Sequence, residues 1–146
     1  MIPKLQLLFA ILLFYRHNLH MLHWKVVGKT FDDTHKILDD YVSQFNTFID
    51  EIAEILLSMG NNPLTLQEAF SLLENLDTHI LIVESTENYK CKEVFNAIDI
   101  MFNDLYKVYT QVSEECEYSD IKSKFDEHQY WLRIEAMYKN KKRLDD

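Results

Sequence analysis

Residues 23–54 read HWKVVGKTFDDTHKILDDYVSQFNTFIDEIAE, and the arrangement of the rest of the chain depends on this stretch. It contains five side chains that can bind a metal ion: His23, His35, Asp39, Asp50 and Glu54. His35 and Asp39 are four residues apart, as are Asp50 and Glu54, so each pair shares one helix face. Asp39 and Asp50 are eleven residues apart, close to three whole turns, which puts both pairs on one stripe. We expect that stripe to be otherwise apolar and buried. Because unpaired charge is costly to bury, metal binding is the favoured interpretation.

The composition favours a single domain, residues 1–146, built from long helices. The chain has 146 residues but only two Gly and two Pro, and all-β folds need many turns that use these residues. Its hydrophobic content of 47% excludes a disordered chain and is enough for a sizeable core.

The charge and the cysteines limit the partners and the compartment. A net charge of −9 favours cations as partners and opposes phosphate backbones. Cys91 and Cys116 do not form a disulfide framework, which favours a reducing cytoplasm. The apolar run 7–15 is too short to cross a bilayer, and no small-residue cleavage site follows it. We therefore expect a heavily buried first helix and no membrane partner.

Four long helices are predicted, at about 4–27, 31–59, 89–115 and 119–138. Gly28 breaks the first from the second, and the sequence GNNP at 60–63 ends the second. A short amphipathic helix at 66–73 lies in the long connection 61–88, and a connection of this length joins parallel neighbours in a four-helix bundle. The first helix is apolar on nearly all sides, so we expect its own bundle and another subunit to cover it.

The five candidate ligands cannot all reach one ion within one chain. If the second helix is continuous, His35 and Glu54 are about 28 Å apart along its axis. The turn at Gly28 folds the first helix back on the second, so His23 and His35 can converge.

One chain therefore offers two half-sites. The first is His23, His35 and Asp39; the second, about 16 Å along the helix, is Asp50 and Glu54. Two copies packed antiparallel about a two-fold axis near residues 44–45 would join the first half-site of each to the second half-site of the other. Such a dimer has two equivalent sites.

The residue types favour redox chemistry on iron. A complete site has three carboxylates and two imidazoles, which suit iron, manganese or zinc, and the lack of thiolate argues against a structural zinc. Positions left open on Fe(II) can accept water, dioxygen or peroxide. His17 and His20 precede His23 at spacings of three, which rotates them away from it, so we expect them at the surface or an interface.

The motif at these residues resembles the Dps family, the mini-ferritins. The pattern is H-W, then G-x-x-F-x-x-x-H-x-x-x-D, then D-x-x-A-E, and the matching residues are His23, Trp24, Gly28, Phe31, His35, Asp39, Asp50, Ala53 and Glu54. The resemblance covers the whole chain, including the order of the helices and the short helix in the crossover. All five family ligand positions match with no change in spacing.

The resemblance implies an all-α, ferritin-like four-helix bundle assembled from two-fold dimers into a hollow dodecamer. It implies a ferroxidase that oxidises Fe(II), preferably with hydrogen peroxide, and stores the ferric mineral. Such a protein would be cytoplasmic and would protect the cell against oxidative stress. The five ligands would also be the catalytic residues, with two irons per site. Asp39 and Glu54 would bind iron most strongly. Trp24 beside the site would take up stray oxidising equivalents or pack in the core.

A second function suggested by the family is non-specific DNA binding. The chain lacks the family's Lys-rich N-terminal arm, and a cage of chains at −9 each would repel DNA. The basic tail, residues 139–143, would offset this locally or would simply be a solvated helix end. A third interpretation, a surface protein on an inactive cage, is disfavoured by five intact ligands. The acidic cluster Glu114, Glu115, Glu117 and Asp120 would line an iron entry pore or flank the last helix.

Overall fold

Helices account for most of the described chain, which in this computed structural model comprises residues 1–76 and 83–145. The elements in order are α1 (Ile2–Lys25), β1 (Val26–Val27), α2 (Phe31–Ser58), α3 (Leu66–Glu74), β2 (Tyr89–Lys90), α4 (Cys91–Glu115), α5 (Ser119–Trp131), a π-helical segment (Leu132–Tyr138) and α6 (Lys139–Leu144). The predicted all-α bundle with a short extra helix is confirmed. Of the helices in these two ranges, none is long and apolar enough to cross a membrane.

Two short parallel strands modify the predicted helix ends. Val26 pairs with Tyr89 and Val27 pairs with Lys90, so α1 ends and α4 begins about two residues short of the predicted bounds. Because β1 and β2 lie side by side and lead into α2 and α4, these helices start at the same end of the bundle. They therefore run in the same direction, as the length of the crossover predicts. Residues 77–82 of that crossover lie outside the described residues.

The first helix is buried on nearly all sides within a single chain. Its residues Leu5, Leu8, Ala10 and Leu12 are fully buried among α2, α3 and α4. The short helix α3 supplies one wall, where the rings of Phe70 and Phe14 lie 5.9 Å apart between centroids. The expectation that its own bundle covers this helix is confirmed, and coverage by a second subunit stays a prediction.

The second helix is continuous, but the stripe of candidate ligands is not buried in one chain. Its core-facing residues are Leu38, Tyr41, Phe45, Phe48, Ile52 and Leu56. Asp39, Asp50 and Glu54 are exposed. The expectation of a buried stripe is therefore wrong for the single chain, because the ligand stripe lies roughly two-fifths of a turn from the core-facing stripe. Only a second subunit could bury it.

The last predicted helix, 119–138, is not a regular α-helix throughout. It is α-helical over Ser119–Trp131 and π-helical over Leu132–Tyr138, and then continues as α6. In the wider turns the hydroxyl of Tyr41 donates to the backbone carbonyl of Glu135 at 3.1 Å. A hydroxyl from another helix thus satisfies a carbonyl within the π segment, and the local sequence pattern does not reveal this contact.

Candidate metal centre

The rings of His23 and His35 form a stacked pair where α1 and α2 meet. Their centroids are 3.6 Å apart and their planes are inclined by 19°. Nδ1 of His23 lies 2.9 Å from the carbonyl oxygen of His35, and Nδ1 of His35 lies 2.9 Å from the carbonyl oxygen of His23. The predicted convergence of these histidines across the turn is therefore present.

The reciprocal bonds determine which ring nitrogens can bind a metal ion. A carbonyl oxygen only accepts, so Nδ1 of each histidine must carry the hydrogen and donate. In the neutral ring, Nε2 then keeps its lone pair, which is the form a metal requires. A second partner that holds the other ring nitrogen is also the usual way in which metal-binding histidines are oriented. The pair is thus prepared to offer two imidazole ligands.

The turn at Gly28 makes this pairing possible. Gly28 has a φ of 124°, a backbone conformation that residues with a Cβ rarely adopt. The amide of Phe31 donates to the carbonyl of Gly28 at 3.1 Å, which closes the turn into α2. Beyond the pair, the ring of Phe31 stacks on His35 with 5.0 Å between centroids.

Asp39 and His20 lie beside the histidine pair. Asp39 is exposed and one helical turn after His35. Burial lowers the pKa of His20, while the negative charge of Asp39 acts in the opposite direction, so this carboxylate is close enough to interact with the histidine. Trp24 is 58% exposed and stacks on His20 at 4.1 Å, so of its two predicted roles the core position is excluded in the single chain.

The second carboxylate pair lies farther along α2. Asp50 and Glu54 are both exposed, and Glu54 lines a groove with Glu51, Asp120 and Lys124. Within residues 1–76 and 83–145, no three His, Cys, Asp or Glu side chains are arranged to hold one ion. In one chain, the histidine pair therefore stands as a two-ligand element apart from Asp50 and Glu54.

A buried polar chain connects α4, α5 and α2. The hydroxyl of Tyr109 lies 2.6 Å from Nδ1 of His128, and Nε2 of His128 lies 3.3 Å from Oε1 of Glu51. Lys124 contacts the other oxygen of Glu51 at 2.8 Å. The sequence pattern does not reveal this chain of contacts, because Tyr109 and His128 lie in different helices, α4 and α5, and follow no motif. A histidine in the apolar face of the last helix was the only available signal.

The two charged clusters singled out in the sequence are partly engaged within the chain. In the acidic cluster, Glu115 forms an ion pair with Lys4 of α1, and the role of the cluster at an iron entry pore stays a prediction. In the basic tail, Lys139 pairs with Glu135 at 2.7 Å. Arg143 donates to the hydroxyl of Tyr41 at 3.1 Å.

Comparisons with known proteins agree with this fold. A family model described as a ferritin-like domain matches residues 2–132. The DNA protection during starvation protein of Helicobacter pylori is 29% identical over 109 residues, which cover 74% of this chain and 70% of that protein.

Solved structures give the same result over almost the whole chain. Mycobacterium smegmatis Dps matches with a TM-score of 0.85 and 20% identity, covering 99% of this chain and 85% of that one. A double mutant of Listeria innocua Dps, with two histidines replaced by glycine, matches with a TM-score of 0.84 and 22% identity, covering 98% and 93%. With its ferritin-like domain and these relatives, the chain belongs to the ferritin-like proteins and, among them, to the Dps family.

Proposed function

We propose that this protein is a ferroxidase and iron store, which oxidises Fe(II) at sites shared by two subunits and retains the ferric product in a hollow shell. The observation that carries the proposal is the reciprocal histidine pair, His23 and His35, in which both Nδ1 atoms donate to backbone carbonyls, so that Nε2 is the metal-binding atom of each ring. The presence of the complete motif, with the exposed carboxylates Asp39, Asp50 and Glu54 on one continuous helix, supports it.

An antiparallel dimer would complete each site. With the two-fold axis near residues 44–45 of α2, His35 lies opposite the partner's Glu54, and Asp39 lies opposite the partner's Asp50. The exposed stripe would then become buried, and bound iron would compensate the carboxylates that are costly to bury alone. The exposed Trp24 and Phe31 beside the histidine pair would be covered in the same step.

The chemistry follows from the ligand types. Fe(II) is the substrate here, and carboxylates with neutral imidazoles bind it and also tolerate the ferric product. Two Fe(II) ions each give one electron to hydrogen peroxide, which takes up two protons and becomes two waters. Holding two ions in one site lets both electrons reach the same peroxide, so no hydroxyl radical is released.

A subunit-mixing experiment tests the shared site. His35→Ala with Asp39→Ala removes the first half-site, and Asp50→Ala with Glu54→Ala removes the second. Each variant alone should oxidise iron slowly. Co-expressed, they should recover roughly a quarter of the wild-type sites, because half of the random dimers are mixed and each has one intact site.

The readouts are ferric absorbance after anaerobic addition of Fe(II) followed by peroxide or air, and native mass. Asp40→Ala, an exposed neighbour off the ligand stripe, is the matched control and should oxidise iron normally. No recovery on mixing would show that the site is not shared. An unimpaired double variant of His35 and Asp39 would reject the iron site itself.

DNA binding is the second candidate, because the relatives are named for DNA protection during starvation. We expect it to be weak in this protein, because the chain has a net charge of −9 and Lys139 and Arg143 already contact groups within the chain. A gel-shift assay across a salt series, with and without residues 139–143, measures this. A strong shift at physiological salt that disappears on deletion would show that the tail binds DNA.

A further inference from the structure

We propose that Tyr109 and His128 form a redox-active pair, in which Tyr109 loses one electron and its phenol proton moves to Nδ1 of His128. The oxidant is of the hydroxyl-radical class, the species formed when a single Fe(II) reduces peroxide. The iron-derived source of this oxidant rests on the proposed function, whereas the pair itself does not. The pair would protect the protein when a site holds one iron and cannot supply both electrons.

The hydrogen bonds of the pair have one consistent direction. Glu51 as a carboxylate only accepts, so Nε2 of His128 donates to it. In the neutral ring Nδ1 is then the acceptor, and the Tyr109 hydroxyl donates to it at 2.6 Å. The phenol proton therefore already points at the atom that receives it, and its transfer needs no rearrangement of heavy atoms.

The charges around His128 favour proton uptake only after Tyr109 is oxidised. Burial lowers the pKa of His128 to about 4, so at neutral pH the ring is neutral and its Nδ1 carries no proton. The carboxylate of Glu51 lies between His128 and Lys124, whose Nζ is 2.8 Å from its Oε2. A newly formed imidazolium would lie 3.3 Å from this carboxylate, which stabilises the transferred proton.

The surroundings shield an oxidised Tyr109 from solvent. Tyr109 is fully buried and His128 is 1% exposed. The ring of Phe48 stacks on His128 with 4.0 Å between centroids, and Phe125 lies 6.2 Å from Tyr109. Reductants in solution cannot contact the phenol oxygen directly, so we expect a long-lived radical.

The pair also lies near one half of the proposed iron site. Glu51 accepts from His128 and lines the same groove as Glu54, and it directly follows Asp50 in α2. An oxidant that forms at Asp50 and Glu54 therefore lies on the same side of the bundle as Glu51, which contacts His128.

The step is balanced in atoms and charge. Tyr109 loses one electron and one proton and becomes a neutral phenoxyl radical, and His128 gains the proton and becomes imidazolium. The hydroxyl radical takes the electron and one solvent proton and becomes water. The solvent thus supplies one proton for each one that His128 retains.

An experiment without iron tests the pair directly. Flash-generated tris(bipyridine)ruthenium(III) is the one-electron oxidant, and electron paramagnetic resonance follows the tyrosyl signal of the assembled protein. We expect a long-lived component in wild type that is absent in Tyr109→Phe and retained in Tyr118→Phe, where the replaced tyrosine is exposed. Equal signals in wild type and Tyr109→Phe would overturn the proposal.

The role of His128 has its own readouts. His128→Gln keeps a polar side chain but cannot hold a transferred proton, so the long-lived component should fall at least several-fold. In unmutated protein, high-field spectra should show one exchangeable proton coupled to the radical, because the imidazolium donates back to the phenoxyl oxygen. The absence of that coupling would overturn the proposal even if neither variant folds.

Finally, Fe(II) at one ion per site with peroxide tests the link to iron. The same long-lived signal should appear, and more weakly at two ions per site. Iron oxidation without the signal would break the link to iron, while the ruthenium experiment still decides the pair. If mixing the half-site variants recovers no iron oxidation, the shared site and the iron-derived source of the oxidant are rejected, and the ruthenium experiment still tests the pair.

Discussion

His128 is the most perturbed titratable histidine of the described chain, and its state should control stability at low pH. Its burial between Phe48 and Tyr109 lowers its pKa from 6.5 to about 4. In the unfolded chain it titrates near its usual value. Between these two values the unfolded state binds a proton that the folded state does not, so stability falls as the pH is lowered.

We predict that wild type loses on the order of 3 kcal/mol through this group between about pH 6.5 and pH 4. His128→Gln lacks the titrating ring and should lose less over the same interval. Urea unfolding at several pH values, followed by circular dichroism, measures the difference. Protonation of Glu51 also lowers the stability as the pH falls, because the folded state lowers the pKa of this carboxyl. Comparison with His128→Gln removes the part of this Glu51 contribution that does not depend on His128. Parallel pH profiles for the two proteins would contradict the prediction.

The two histidine contacts differ in how far the sequence could predict them. His23 and His35 flank a glycine turn and follow helical spacing from Asp39, so local pattern and a single chain reversal are enough to bring them together. Their reciprocal hydrogen bonds to each other's backbone carbonyls depend on the distance between the two helices, which no sequence pattern encodes. Tyr109 and His128 meet through packing of two helices, and their partner Glu51 comes from a third.

The turn between α1 and α2 is the element on which the histidine pair depends. Gly28 has a φ of 124°, whereas Gly60, at the end of α2, has a φ of 77° with open space around it. A Cβ at Gly28 would lie 3.7 Å from Sγ of Cys91, an ordinary contact, so the cost of a side chain there is conformational. The left-handed helical region near Gly60 tolerates a side chain better.

We predict that Gly28→Ala lowers the free energy of unfolding by about 1–3 kcal/mol and slows iron oxidation. Strain in the turn would displace His23 from His35, which weakens their exchanged bonds. Gly60→Ala is the matched control, with an expected cost of about 1–2 kcal/mol and normal iron oxidation. Chemical unfolding and ferric absorbance measure the two effects. Normal oxidation in Gly28→Ala would show that the turn does not position the pair.

At the scale of elements, periodicity predicted the long helices and α3 well and the joints between them poorly. The strands β1 and β2 contain two residues each and are far apart in sequence, so neither has a detectable pattern. The π-helical segment follows an apolar spacing that a regular helix also explains, and its partner Tyr41 lies in another helix. Contacts of this kind depend on the tertiary structure and not on local preference.

In the whole molecule, the exposed ligand stripe is the clearest indication of assembly. Asp39, Asp50 and Glu54 are solvent-exposed in the single chain, although helical spacing aligns them with His35. Helical spacing predicts the stripe but not its exposure, because a sequence pattern does not distinguish burial by the chain's own core from burial by a partner. The predicted two-fold axis passes near residues 44–45, and the neighbouring Ser43 is exposed on the same stripe.

We predict that Ser43→Glu yields smaller assemblies and slower iron oxidation. In the antiparallel dimer, it would place like charges close to the axis and beside Asp39 and the partner's Asp50, where they repel at short range. Gln111→Glu, on the exposed side of α4, adds the same charge elsewhere and should assemble normally. Native mass spectrometry measures the assemblies. An unchanged mass for Ser43→Glu would place the interface elsewhere.

The π-helical segment also sets the direction in which the end of the chain points. Its wider turns hold extra residues, and each extra residue rotates all later side chains by about 100° relative to an uninterrupted α-helix. Asn140 is thereby turned inward, where its Nδ2 donates to the carbonyl of Phe95 at 2.9 Å. Deleting one residue from Leu132–Tyr138 would rotate Asn140 out and present Lys141 and Lys142 on another side. One codon thus determines which face of the molecule carries the positive charge of the tail.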